Sequence, residues 1–171
     1  MRMTIIVTVM FALLMAILVV SRDSLRPAHE ADLQLDDLHA DTPREELKER
    51  LGHVEFECTD DEAVEAGERA CFAPITRADD FEADYLALFF DRDNLLAAIN
   101  IVLDPEAHEA NHQRLRERFG EPDQEIHDEN VWLVWERSDH LLLTHKEPPE
   151  RDAPALMWFR SADLMERLLP R

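Results

Sequence analysis

Residues 85–103 read YLALFF-DRDN-LLAAINIVL, two apolar runs split by four polar residues. Asp91, Asp93 and Asn94 suit a turn, because their short side chains bond to nearby backbone and tolerate unusual dihedrals. The flanking runs are short, and β-branched and aromatic residues stand among them, so the stretch predicts an antiparallel hairpin. Their apolar character is almost unbroken. Strands of that kind are covered completely on one face and partly on the other.

Moving outward, residues 54–58 and 71–76 read as short extended segments before this hairpin. Residues 131–136, 141–145 and 156–160 read as strands after it, with a turn at 137–139 and a Pro-rich acidic loop, KEPPERDAP, over 146–154. Helices fall between the strand groups. Thr42-Pro43 pairs a cap residue with a proline suited to the first helical position, and Gly52 stands where a left-handed residue would end that helix. Asp104-Pro105 repeats the pattern, predicting a helix to Phe119 with Gly120 as terminator. Ser161 caps a last amphipathic helix with Leu164, Leu168 and Leu169 facing inward. The helix ends LKERLG (47–52) and LRERFG (115–120) lie 68 residues apart, and two of the chain's three glycines close them. The expected fold is therefore α+β: two helix-plus-antiparallel-meander halves, 42–103 and 104–171, forming one domain.

A helix ending in Leu-x-x-x-[Leu/Phe]-Gly, followed in the second copy by Pro122 and by the strand Val131-Trp132-Leu133-Val134-Trp135, resembles small bacterial envelope modules. The outline is similar to that of β-lactamase-inhibitor-like domains and of SmpA/OmlA-type outer-membrane assembly lipoproteins. The resemblance covers residues 42–160 as a pattern. It implies a binding or assembly module, with no catalytic residue carried over. The lipoprotein cysteine of the second family is missing.

The start of the chain bears on location. Residues 3–20 (MTIIVTVMFALLMAILVV) contain no charge, Gly or Pro and are long enough for a helix to cross a bilayer core. They read as a transmembrane anchor spanning 1–21, with a cleaved signal as the alternative. Residues 22–41 read as an acidic linker in which Leu33, Leu35 and Leu38 are the main apolar side chains. The expectation is a single-pass inner-membrane protein whose domain, 42–171, faces the periplasm. Cys58 and Cys71, close in sequence with an acidic stretch between them, read as one disulfide of that oxidising space. Two free thiols in a cytosolic domain are the alternative.

Charge narrows the function classes. With 18 Lys+Arg against 38 Asp+Glu the chain carries −20, so it has no basic surface to displace phosphate counterions and is no generic nucleic-acid binder. Such a surface suits a basic patch on a partner, here expected to be another envelope protein. Trp132, Trp135 and Trp158 lie on expected strands. Alternation puts Trp132 and Trp135 on opposite faces, which makes the tryptophans the candidate partner-binding residues.

One motif carries chemistry. His108-Glu109-Ala110-Asn111-His112 matches His-Glu-x-x-His, the spacing that sets two imidazoles one turn apart on zinc with the Glu as base. A third ligand would come from His127, Glu125 or Glu129. The residues around the motif are polar, however, and His108 stands near the helix start. The preferred reading is thus a binding, adaptor or inhibitor module without catalysis or cofactor. The alternative is a membrane-tethered zinc hydrolase using Glu109.

Overall fold

The computed structural model of the chain describes residues 29–59, 69–150 and 152–168. Ten strands form one sheet: β1 (Glu30–Ala31), β2 (Glu57–Thr59), β3 (Arg69–Pro74), β4 (Arg77–Ala78), β5 (Phe81–Phe90), β6 (Leu96–Leu103), β7 (Gln124–His127), β8 (Val131–Glu136), β9 (Leu141–His145) and β10 (Ala155–Phe159). The order is β1-β4-β5-β6-β10-β9-β8-β7, with β3 also on β5 and β2 on β3. Among the described residues three short α-helices accompany it: α1 (Arg44–Arg50), α2 (His108–Phe119) and α3 (Ala162–Leu168). The sheet is mixed, because β1 runs parallel to β4 while the other pairs are antiparallel.

The hairpin read from residues 85–103 is present as β5 and β6. Asp91 builds its turn, accepting the N–H groups of Asp93 and Leu95 at 3.0 and 2.9 Å, and Asn94 takes the left-handed conformation at φ 58°. The second strand of the hairpin then meets β10, with Asn100 opposite Met157.

The two faces of the sheet are covered unequally. Leu86, Leu88, Phe90, Ile99, Ile101, Leu133, Trp135, Leu142, Leu156 and Trp158 point to one face, which the N-terminal stretch, α1 and Leu115 of α2 bury. On the other face α3 covers only the part formed by Leu141, Leu143, Val134 and Phe159, through Leu164 and Met165. Non-polar burial of the first face supplies most of the favourable free energy of folding.

Several expectations are corrected. The α+β reading with two helix-plus-meander halves gives way to one continuous ten-stranded mixed sheet with three short helices, because strands of both parts pair directly across β6 and β10. The expected transmembrane helix over residues 3–20 lies outside the described residues. Among those described, no helix is long and apolar enough to cross a membrane. The acidic linker is corrected where it is described: Leu33, Leu35 and Leu38 are fully buried, and Ala31 lies in a strand. Residues 22–28 of it lie outside the described residues, as does the acidic stretch 60–68.

The helix boundaries were read partly right. Asp104 accepts the Glu106 N–H at 2.8 Å and caps the single 3-10 turn Pro105–Ala107 that leads into α2, and Ser161 accepts that of Leu164 at 3.3 Å. Gly120 ends α2 with φ 81°, a conformation that side chains rarely adopt. Thr42 does not cap α1; its hydroxyl accepts the His39 N–H at 3.0 Å instead, tightening the turn before the helix. Nor is Gly52 left-handed, since its N–H reaches the Glu49 carbonyl and continues the last turn.

Candidate functional site

The His-Glu-x-x-His segment opens α2, and both imidazoles are buried while Glu109 is exposed. Nε2 of His112 lies 2.8 Å from the carbonyl oxygen of His145, and Nε2 of His108 lies 3.3 Å from that of Lys146. A carbonyl only accepts, so both rings carry their proton on Nε2 and donate it. These are the nitrogens a zinc ion would take from such a motif. His127, the proposed third ligand, is exposed on the edge strand β7, with Nε2 3.6 Å from a Glu125 carboxylate. Glu125 itself is held by Lys146 at 2.8 and 2.9 Å, and Glu129 is exposed in the turn beyond His127. Among the described residues no three His, Cys, Asp or Glu side chains gather where they could hold a metal. The arrangement latches a helix to a strand end, with both Nε2 atoms engaged by carbonyls.

Electrostatics agree with that latch. His145 is buried, its ring tilted against Trp132 with 3.8 Å between ring centres. Burial, and then the neighbouring His108, push its pKa down to about 4. Burial and His108 likewise lower that of His112. The rings are neutral structural donors and acceptors, His145 Nδ1 accepting the Ala155 N–H at 3.1 Å.

The tryptophans are no more available. Trp135 and Trp158 are fully buried, and Trp132 is buried under His145. Trp135 donates from Nε1 to the Gly120 carbonyl at 2.9 Å, which ties β8 to the end of α2. Their proposed role as exposed contacts is thus corrected: the indoles are the largest side chains of the core. Cys58 and Cys71 stand opposite each other on β2 and β3 and form the expected disulfide, with Cα atoms 4.0 Å apart.

Among the described residues, the second face continues beyond the part that α3 covers. Phe72 of β3, Tyr85 and Phe89 of β5, Asn100 and Val102 of β6, and Met157 of β10 line it, half-buried except for the exposed Tyr85, with Phe89 and Met157 packed against the cluster under α3. Phe72 sits opposite Ala87, Ala87 opposite Asn100, and Asn100 opposite Met157, so one row crosses four strands. The small Ala87 leaves room for the rings beside it. Phe72 stacks on Tyr85 at 6.4 Å and meets Phe89 edge-on at 6.2 Å. Tyr85 is 38% exposed, the most open large apolar side chain among the described residues. Amid this patch the side-chain oxygen Oδ1 of Asn100 is buried with no hydrogen-bond partner. Such an acceptor is costly unless a donor arrives. The sequence held the signal for this patch in the doubly apolar run 85–90, but not which face would stay bare.

A second feature is a cavity of about 670 Å³ rimmed by acids around Arg118. The Asp79 carboxylate there accepts backbone N–H groups of Leu33, Gln34 and Leu35 at 2.6, 2.9 and 3.0 Å. Arg118 bridges Asp36, Asp79 and Asp80 at 2.5, 3.0 and 3.0 Å. These groups satisfy one another and staple the N-terminal stretch to α2.

No family model matches the chain, and no curated protein does. Among solved structures the chain is similar in part to the crystal structure of a DUF4309 family protein, YjgB, from Bacillus subtilis. The TM-score is 0.34 and the identity 9%, over 45% of this chain and 57% of that one. A likeness of that extent carries neither fold nor function across.

Proposed function

We propose that the domain is a non-catalytic binding module of an oxidising compartment, acting as an adaptor, inhibitor or assembly factor for another protein. The contact surface is the bare sheet face around Tyr85. The observation that carries this reading is the aromatic cluster of Phe72, Tyr85 and Phe89 with the unpartnered Asn100 oxygen among it. Aromatic and Met side chains concentrate in the centres of protein interfaces, and a buried acceptor there rewards a partner that supplies a donor. The −20 charge of the chain favours a partner with a basic rim, which would also speed encounter. The Cys58–Cys71 bridge supports an oxidising setting.

Affinity isolation of the tagged protein at low and high salt, beside a Tyr85→Ala variant, tests this. The expected result is a stoichiometric protein partner whose retention weakens at least tenfold on Tyr85→Ala and falls with salt. Retention indifferent to Tyr85 would refute the reading.

A further inference from the structure

On the opposite side of the sheet, a crevice of about 360 Å³ opens between α1 and the strands. Leu47 and Leu51 line it from the helix, Leu88 and Phe90 from β5, and Phe56 and the Cys58–Cys71 bridge complete its apolar wall. Arg44 and Lys48 line it as well, one helical turn apart, the first half-buried and the second exposed. Their aliphatic stems extend the apolar lining and their charges stay toward solvent.

Those two cations are among the ones in this chain that no carboxylate neutralises. Carboxylates outnumber cations 38 to 18, and most described cations have found one. Arg50, Arg114, Arg116, Arg118, Arg137, Lys146 and Arg160 are each paired with an acid. Arg44 and Lys48 have no ion-pair partner among the described residues, a condition shared by Arg77 and Arg167, although α1 also carries Glu45, Glu46 and Glu49; what sets the pair apart is that both line the apolar crevice. An apolar slot with two unneutralised cations beside it complements a molecule with an apolar tail and an anionic head. Its volume is near the small end of the range for ligand sites, about 300–1,000 Å³, so one chain fits where two would not.

We propose that this crevice binds a single-chain carboxylate amphiphile of the fatty-acid type, the tail lying between α1 and β5 and the head meeting Arg44 and Lys48. The site is independent of the Tyr85 face, since Leu88 and Phe90 point to the other side of the sheet from Tyr85 and Phe89.

Titration calorimetry of the purified protein with dodecanoate, dodecylamine and butyrate tests this, all below their aggregation concentrations. The expected result is saturable one-to-one binding of dodecanoate, at least tenfold weaker binding of dodecylamine, and none of butyrate. Arg44→Glu with Lys48→Glu should invert the preference between dodecanoate and dodecylamine, while Tyr85→Ala should leave it unchanged. Should the double variant fail to fold, Lys48→Ala alone, at an exposed position, should weaken dodecanoate severalfold without affecting thermal stability. Equal affinity for the two long-chain probes, uptake of many molecules per chain, or no saturable binding would overturn the proposal.

Discussion

His112 of α2 donates to the backbone carbonyl of His145 at 2.8 Å, so the segment that most resembles a catalytic motif serves as a latch between a helix and a strand end. His145 in turn must be neutral, because its Nδ1 accepts the Ala155 N–H at 3.1 Å. Burial and the proximity of His108 hold His145 at about 4, against an ordinary 6.5, and lower His112 in the same sense. Burial lowers His140 too, more than its bond to Asp139 raises it. In the unfolded chain these rings take up protons as pH falls through 6.5, whereas the folded chain resists, so stability present above 6.5 is lost on acidification toward 4. His145 alone accounts for on the order of 3 kcal/mol over that window. Urea unfolding from pH 7 to pH 4 should show a falling midpoint, with a shallower fall in His145→Gln. A midpoint that stays level across this window would show that the rings titrate normally.

The same geometry makes a statement about metal. With both Nε2 atoms facing carbonyls and His127 exposed on β7, chelator-washed protein incubated with zinc should retain no stoichiometric ion. His112→Ala should lower stability by about 1–3 kcal/mol, through the orphaned His145 carbonyl and lost packing, and leave metal content unchanged. One zinc per chain that disappears in His112→Ala would restore the hydrolase reading.

Cys58 and Cys71 close a short loop, with 13 residues of separation. A crosslink of that span stabilises by about 3 kcal/mol when treated as lost entropy of the unfolded chain. Replacing both by Ser should lower the unfolding free energy by about that amount, and a reductant should do the same to the unaltered protein. No response to reductant would mean that the bridge is absent in solution.

Asp79 is the structural partner of Arg118, and its three backbone donors belong to the stretch that leads into the core leucines. Asp79→Ala would leave those N–H groups and part of the Arg118 charge without an acceptor. The expected cost is about 3 kcal/mol, with faster hydrogen exchange concentrated at Leu33, Gln34 and Leu35. Uniform exchange through the whole chain would argue against a local staple.

The strands around Asp91–Asn94 were legible because two apolar runs flanked four turn residues, and the disulfide because two cysteines lay close together with an acidic stretch between them. The burial of Leu33, Leu35 and Leu38 was not. The segment is short and polar overall, and contacts remote in sequence fix it: Asp79, 44 to 46 residues away, with Arg50 on the Leu33 carbonyl and Arg118 on Asp36. Nor could alternation say that Trp132, Trp135 and Trp158 would all be covered while Tyr85 stayed open. Strand 85–90 is apolar on both faces, so its sequence is silent on which one the helices reach. His108 and His112 lie one helical turn apart and are both buried, but what they meet, two carbonyls, depends on where β9 ends.

The central claim is that the bare sheet face is where a partner docks, and site-specific photocrosslinking tests it most directly. A benzophenone side chain replacing Tyr85, and another replacing the exposed Glu109 on α2, should be irradiated in the protein's native setting. The account predicts one discrete protein adduct from position 85, absent from position 109 and suppressed by Phe72→Glu. An adduct from position 109 alone, or equal adducts from both positions, would contradict it.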